Sequence, residues 1–252
     1  MANGLTAGIC TSGSTIKAAL CADGKFSALS RRELNQEKFL LPMLETLLKK
    51  RGAALKDLSA VCVISGPGRF TGLRIALTFA AALKTLAGMK VYSATLFEIL
   101  AVQACGTNEF RAWSAGRKDL RLAAVVHAFK DEYFCQAFRI RRQNSGVRIQ
   151  NAGAGKLEFA PAGDPLWLKA GEMTKHLENL GPQLYVVADA EEKPEIYSLV
   201  PAGLEKAPAA VSRIIPEFII KTGLALKNPD LKPLYLKPTR YEQEERAKAA
   251  RK

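Results

Sequence analysis

The hydrophobic pattern of the chain changes period several times in its first hundred residues. Leu5 to Thr11 and Thr15 to Cys21 read as short strands on either side of Ser12-Gly13-Ser14, and Lys25 to Ser30 reads as a third strand after Asp23-Gly24, a strong hairpin dipeptide. The spacing then becomes helical. Leu40, Leu41, Leu44, Leu47 and Leu48 fall on one face of a helix that Asn35 can cap, that runs to Arg51, and that Gly52 ends. Pro42 lies inside this pattern and removes a bond to Lys38, so it either starts the regular part or kinks it. Val61 to Ile64 is a β-branched run suited to a buried strand, and Gly66-Pro67-Gly68 stops it. Thr71 can cap the next helix, and Leu73 to Ala87 contains no breaker. Lys90 to Ala94 reads as another strand, with Thr95 capping a short helix through Ala104.

The order βββαβαβα implies an α/β layer on a mixed sheet, in outline one ribonuclease-H-like half of the actin and sugar-kinase architecture. Gly106 to Gly116 looks like a linker. A second meander follows, with strands over Arg121–Ala128 and Tyr133–Ile140, a turn at Lys130-Asp131, and a third strand over Val147–Asn151. Gly153 to Asp164 is rich in Gly, Ala and Pro and reads as a loop. Beyond it come a helix over Ala170–Leu180, a strand over Gln183–Ala188, a weak helix over Lys193–Leu199 and a final helix over Val211–Leu226 with Pro216 near its start. Asp230 to Pro238 reads as extended, and Tyr241 to Lys252 as a charged, frayed end. The organisation expected is a first domain over 1–105 plus 209–228, a smaller second domain over 106–208 that echoes it, and an extended basic tail over 229–252.

The helix after Thr71 carries two apolar stripes: Ile75, Phe79, Ala82 and Leu86 on one, and Leu73, Leu77, Ala80 and Ala87 on the other. A helix apolar over most of its circumference is covered on more than one side. One side can face the sheet; the other faces a second helix, of this chain or of a partner. Ala76, Ala80, Ala81 and Ala82 would permit close approach. The loop before this helix allows two readings. Its free backbone N–H groups could hold an anion at Gly66, Pro67, Gly68, Thr71 and Gly72. Alternatively the glycines only permit a tight turn and close packing. It is not a Walker A loop, because Thr71-Gly72-Leu73-Arg74 stands where Gly-Lys-Ser/Thr is needed.

Composition bounds these readings. The 252 residues suffice for one large or two modest domains, and 48% hydrophobic with 24% charged residues is ordinary for a globular chain. The net charge of +13 is not ordinary and favours an anionic partner, nucleic acid above all; its alternative is a solvated basic surface. Arg117, Lys118, Arg121, Lys130, Arg139, Arg141, Arg142 and Arg148 form one basic stretch and the end of the chain another. Cys10, Cys21, Cys62, Cys105 and Cys135 have no knuckle or redox-pair spacing, which fits buried thiols in a reducing cytoplasm. Met1 to Cys10 is too short and uncharged for a signal peptide, and no uncharged apolar run approaches the ~20 residues of a membrane span. The catalytic inventory is thin. His127 and His176 form no metal pair, Ser65 has no nucleophile elbow, and Asp189, the best lone carboxylate, reads as a helix cap.

Ser65-Gly66-Pro67-Gly68-Arg69-Phe70-Thr71-Gly72-Leu73-Arg74 resembles the Gly-Pro-Gly-Ser-Phe-Thr-Gly-Leu-Arg signature of the bacterial TsaB (YeaZ) family. Leu40-Leu41-Pro42, Ser93 to Ala101, Val186 to Ala190 and Pro233-Leu234-Tyr235-Leu236-Lys237-Pro238 fall where that family has its counterparts. The resemblance implies two actin-like (ASKHA) domains, the second reduced. It also implies a role in making N6-threonylcarbamoyladenosine at position thirty-seven of ANN-decoding tRNAs, as a non-catalytic partner of the TsaD subunit. The partners implied are TsaD through first-domain helices, TsaE in a larger assembly, a second copy of the chain when TsaD is absent, and tRNA on a basic surface; no membrane is implied. The binding face carried over comprises Thr71, Leu73, Arg74, Leu77, Thr78 and Ala81 with Leu40 and Leu44. No catalytic residue, metal or tightly bound cofactor is expected, and ATP or ADP is left open at the subunit junction.

The chain departs from the family pattern at four places. Cys10-Thr11-Ser12 stands for Asp-Thr-Ser, and a thiol cannot hold Mg²⁺ as a carboxylate does. Gln36 replaces a common histidine, and His127 and Phe129 replace Asp and Arg. These changes weaken a nucleotide or substrate role for the chain itself and mark it as diverged. Two other classes stay open: an independent small-molecule kinase or ATPase of the same fold, and a basic tRNA-binding module.

Overall fold

In the computed structural model, which describes residues 4–142 and 157–237, each meander is extended by helical crossovers into a mixed sheet. The strand expected over 147–151, Arg148 and the end over 241–252 lie outside the described residues. Strands β1 (Leu5–Cys10), β2 (Thr15–Ala22) and β3 (Lys25–Arg32) are antiparallel neighbours. Asp23 at φ +50° and Gly24 at φ +74° supply the two left-handed residues that a two-residue hairpin turn needs. Helix α1 (Glu37–Lys49) contains Pro42 and seals β2 and β3 with Leu40, Leu44, Leu47 and Leu48. Strand β4 (Leu58–Gly66), helix α2 (Phe70–Ala87), strand β5 (Lys90–Thr95) and helix α3 (Leu96–Cys105) follow. Because helical crossovers make β4 and β5 parallel to β1, the sheet order is β3-β2-β1-β4-β5. Thr95 caps α3 as its sequence suggests, in a capping box with Glu98.

The second sheet begins after helix α4 (Asn108–Ser114). Strands β6 (Leu120–Phe129) and β7 (Glu132–Arg142) form its hairpin, and β8 (Leu157–Pro161) and β9 (Leu166–Lys169) pair successive parts of the same β7 edge. Helix α5 (Ala170–Asn179) leads to β10 (Leu184–Ala188), and the two-residue β11 (Glu205–Lys206) closes the order β11-β10-β6-β7-β8. Helix α6 (Pro216–Leu226) returns to the first sheet. It sits close because Gly8 and Gly223 lack side chains: a Cβ at Gly8 would lie 2.7 Å from Ile220 Cγ1, and one at Gly223 2.6 Å from Cys62 Sγ. One apolar core runs from Ile9 and Val63 past α3 to Leu122, Val126 and Phe138, so the two sheets share packing.

Several elements differ from the sequence expectations. The supposed linker over 106–116 holds α4, because Phe110 buries itself edge-on against Tyr185 with ring centroids 5.1 Å apart. That contact, with the Thr107 cap, holds a helix too short to form on propensity alone. The described part of the Gly/Ala/Pro loop contains β8, an edge strand that tolerates Pro161. The α1 N-cap is Gln36 rather than Asn35, and α2 starts at Phe70 with Arg69 as N-cap rather than at Thr71. In α2 the Arg69 N–H donates to Ser12 O at 2.7 Å, which fixes the entry of the chain before Thr71. Residues Pro194–Leu199 are 3₁₀ rather than α, and α6 begins at Pro216, the proline at its first position; Ala209–Val211 forms a separate 3₁₀ turn. Helix α2 is also long and apolar enough by composition to cross a membrane, but Gly72, Leu73, Ala76, Leu77 and Ala80 are buried in this fold.

Among the described glycines, Gly72 makes the closest approach, to Thr11. A Cβ at Gly72 would lie 1.8 Å from Thr11 O, and Thr11 Oγ1 donates to Gly72 O at 2.6 Å. Gly72→Ala is expected to destabilise the chain by about 3 kcal/mol, read as a lower urea midpoint. Gly171→Ala, where the new methyl meets nothing within 4 Å, should change stability by no more than about 1 kcal/mol, and in the favourable direction.

Candidate functional site

The β1–β2 turn, the loop between β4 and α2, and the chain after α6 converge on one end of the first sheet. Each glycine of the loop meets part of the chain itself. A Cβ at Gly68 would lie 2.6 Å from Ser12 Cβ, and one at Gly66, where φ is +136°, would lie 2.7 Å from Leu234 O. Close packing therefore accounts for Gly66, Gly68 and Gly72 without a ligand. The segment after α6 acts as a strap. It bonds β5 through Ser93 N–H to Asn228 O at 2.8 Å and β4 through Leu234 N–H to Ser65 O at 2.7 Å, then ion-pairs Lys237 with Glu132 of β7. Tyr235 of the strap stacks on Phe70 at 5.1 Å, and the Arg74 guanidinium lies 4.0 Å over the same Phe70 ring.

Between the sheets lies a cleft of about 640 Å³ bounded by these segments. Its floor is polar. Lys17, nearly fully buried, ion-pairs with Glu191 and donates to Ile214 O at 2.8 Å. Glu192 Oε1 accepts from both Ser14 N–H and Ser14 Oγ at 2.7 Å. Asp189 is buried beside them, and its Oδ1 accepts from Glu191 N–H at 3.1 Å. Burial pushes the Asp189 carboxyl up to about 6, with Lys17 pulling the other way. It caps no helix: the 3₁₀ run that follows starts at Pro194, with Lys193 as N-cap. Burial also raises the Cys10 thiol, which contacts Ser12 Oγ at 3.2 Å, so Cys10 is a poor nucleophile and no substitute for a carboxylate. His127 Nε2 is paired with Lys130 O at 3.0 Å, and the Gln36 amide donates to Gly13 O at 2.8 Å. His176 sits on α5, away from the cleft, with burial lowering its pKa. A nucleotide phosphate does not fit the β1–β2 turn as it stands, because Glu192 already takes its donors.

A second candidate surface is the outer side of α2. Thr71, Arg74 and Thr78 are exposed there and Ala81 is half-buried. Leu73, Leu77, Leu40 and Leu44 are not on it: all four are buried in the core of this chain. The Thr11–Gly72 crossing turns Leu73 and Leu77 towards the sheet, and α1 uses Leu40 and Leu44 to cover β2 and β3. The other apolar stripe faces outward instead, with Ile75 and Phe79 half-buried, Ala82 exposed and Leu86 86% exposed. Leu34, Leu41 and Phe70 are further exposed apolar side chains, and Leu34, Phe70 and Ile75 line one shallow hollow at the start of the helix. Leu34 and Phe70 had no periodic signal; only the contact of the β3–α1 segment with the start of α2 reveals them.

A family model described as TsaD, tRNA N6-adenosine threonylcarbamoyltransferase, matches residues 33–236. The chain belongs to this family. Its likeness is to the TsaB members: it is 33% identical over 100 residues to the tRNA threonylcarbamoyladenosine biosynthesis protein TsaB of Buchnera aphidicola subsp. Schizaphis graminum, covering 40% of this chain and 44% of that protein. It is 41% identical over 46 residues to the TsaB of Buchnera aphidicola subsp. Baizongia pistaciae, covering 18% of this chain and 21% of that protein. The matched stretches thus span less than half the length of these curated relatives. Two solved structures share the fold. YeaZ from Pseudomonas aeruginosa superposes with TM-score 0.63 at 20% identity, covering 92% of this chain and all of that one. A Pseudomonas aeruginosa protein with similarity to the peptidase YeaZ gives 0.65 at 20% identity, covering 93% and all of that chain. The fold is therefore that of YeaZ, two mixed α/β sheets with flanking helices, and the chain is a diverged TsaB relative, as its glycine motif suggested.

The Asp189 environment sets a pH dependence. Its carboxyl titrates near 3.8 when unfolded and about 6 when folded, so the folded chain holds a proton that the unfolded chain releases in between. Stability from this group falls as pH rises through that window, and the loss is complete above it. Asp189→Asn keeps the acceptor for Glu191 N–H and removes the charge. It should raise the unfolding free energy above about pH 7 by up to about 2–3 kcal/mol, with little effect near pH 4. Urea titrations at both pH values check this.

Proposed function

We propose that the chain is a non-catalytic subunit for tRNA threonylcarbamoyladenosine biosynthesis that docks on a TsaD subunit through the outer face of α2. The observation that carries this reading is the outward apolar stripe Ile75, Phe79, Ala82 and Leu86, with Ala82 and Leu86 exposed and Ile75 and Phe79 half-buried, on a helix whose opposite stripe already seals the first sheet. An apolar helix face left partly uncovered suits a binding surface, and the small Ala82 at its centre suits close approach of another helix. Two copies of the chain meet through the same face when TsaD is absent, and TsaE and ATP or ADP join at the level of the assembled complex. The polar groups of the cleft support the non-catalytic part of the reading, since Lys17, Glu191 and Glu192 are bonded to one another's elements rather than poised for substrate. The reading places the chain in the cytoplasm with its tRNA.

A second role has its own observation. Arg74 over Phe70, Phe70 against Tyr235, and Lys237 and Lys130 about 5.4 Å from the Phe129 ring set cations and exposed aromatics together at the cleft mouth. Such a rim suits unpaired bases, so the chain also contributes to holding tRNA.

The docking reading is tested with Ala82→Arg and Leu86→Glu, both at exposed positions of the stripe. Both should weaken association with TsaD by ~2 kcal/mol or more, about thirtyfold in Kd, while circular dichroism of the lone chain stays unchanged. In cells depleted of their own TsaB, the wild-type chain should restore the modified nucleoside in digested tRNA and the variants should not. Unchanged co-purification of both variants would remove the proposed surface, and ATP turnover by the purified chain alone would replace the scaffold reading with the kinase or ATPase one.

A further inference from the structure

Helix α2 begins without a cap. Its N-cap residue, Arg69, offers no side-chain acceptor, and its first turn carries no acidic residue. The N–H groups of Phe70, Thr71 and Gly72 find no acceptor among the described residues. The peptide dipoles of eighteen residues add to a positive pole at that end. Arg69 is exposed beside it and makes no ion pair with a described residue. Gln36 is a second, independent observation. It is 4% exposed, and its Nε2 donates to Gly13 O at 2.8 Å, which leaves Oε1 buried with no donor. A buried carbonyl oxygen without a partner carries a desolvation cost that a ligand N–H would relieve. Gln36 and the first turn of α2 line the same hollow of about 310 Å³, together with Leu34, Phe70 and Ile75. Among the described residues no acid lines it. The hollow thus calls for a negative charge on the free N–H groups, an N–H for Gln36, and apolar cover for Leu34 and Phe70, which are 89% and 52% exposed. A peptide stretch with Asp or Glu beside an apolar residue supplies all three, whereas a small inorganic anion supplies only the first.

We propose that α2 is capped in trans: the partner docked along it places an Asp or Glu carboxylate on the free N–H groups of the first turn, gives a backbone N–H to Gln36 Oε1, and lays an apolar side chain against Leu34 and Phe70. The inference rests on docking through α2 and names the chemistry of the partner's contact. The hollow adjoins the outward stripe at Ile75, which belongs to both, so one partner surface reaches the two. The carboxylate does for α2 what an Asp N-cap does within a chain. It also sets the register of docking, because the cap occupies a single position along the helix while an apolar stripe tolerates sliding.

Two measurements on the full chain test it. In a nuclear magnetic resonance titration, acetyl-Asp-Leu-amide should shift the Thr71 and Gly72 amide resonances. It should bind at least about tenfold more tightly than acetyl-Asn-Leu-amide, which lacks the charge. The second measurement uses Arg69→Asp, which places a cap within the chain. This variant should have a higher urea midpoint than the wild type and yet bind the Asp peptide and TsaD at least about tenfold more weakly. Arg69→Ala removes the cation without supplying a cap, and should leave the urea midpoint unchanged and weaken both by less than about threefold. Equal affinity for the Asp and Asn peptides, unmoved Thr71 and Gly72 resonances, or an Arg69→Asp chain that keeps its affinity for TsaD would each overturn the proposal. Should Arg69→Asp lose its native circular dichroism, the peptide titration of the wild-type chain decides. The docking reading fails by a different result. Unchanged TsaD association of Ala82→Arg and Leu86→Glu removes the docking face, whereas loss of TsaD in those two variants with none in Arg69→Asp removes only the cap.

Discussion

The contact between Thr11 and Gly72 leaves no space for a side chain, and much of the molecule is arranged around it. The Thr11 carbonyl lies 1.8 Å from where a Gly72 Cβ would be, and the Thr11 hydroxyl returns a bond to Gly72 O at 2.6 Å. The end of β1 is thereby tied to the first turn of α2. Because each residue turns a helix by about 100°, fixing Gly72 fixes the phase of everything after it. Leu73, Ala76, Leu77 and Ala80 go to the sheet, and Ile75, Phe79, Ala82 and Leu86 go to the outside. A backbone crossing at one end of the helix thus decides which of two similar apolar stripes becomes core and which remains available.

The cleft between the sheets is held by a different kind of interaction. Lys17 is buried on a strand whose neighbours are apolar, and the ion pair with Glu191 and the bond to Ile214 O offset its desolvation. Glu192 reaches the β1–β2 turn from the same loop, and Asp189 sits beneath them with its carboxyl pushed towards the protonated form by burial. These bonds join residues more than 170 positions apart and set how the two sheets face one another. The polar side chains of the cleft are engaged in that connection, which supports reading the fold as a scaffold.

The strap after α6 adds a third tie. It bonds β5 and β4 in turn and ends on β7, carrying Tyr235 onto Phe70 and Lys237 between the rings of Phe129 and Trp167. Cations and aromatics that are scattered along the chain are gathered at one rim. The apolar outer face of α2 starts beside that rim at Phe70 and Arg74, so the two proposed contacts of the protein occupy adjoining surfaces.

The elements from β1 to α3 were legible from local signals. The turns at Ser12-Gly13-Ser14 and Asp23-Gly24 bound β1, β2 and β3, helical spacing marks α1 and α2, and Thr95 with Glu98 marks the start of α3, because each signal is local to a few residues. The glycine motif was legible as an element boundary and as a family likeness. What it does was not: holding an anion and permitting close packing demand the same glycines, and only the proximity of Thr11, Ser12 and Leu234 shows that packing requires them. Helix α4 was missed because its stability comes from Phe110 against Tyr185, seventy-five residues away (110 to 185), and not from its own seven residues. The outward stripe of α2 was likewise unreadable, since both stripes are apolar and the helix phase is set by a contact outside the helix. The bond from Ser14 to Glu192 has no sequence signature at all. Local physics is written in the order of the residues, whereas pairings between distant segments exist only once the chain has folded and brought them within bonding distance.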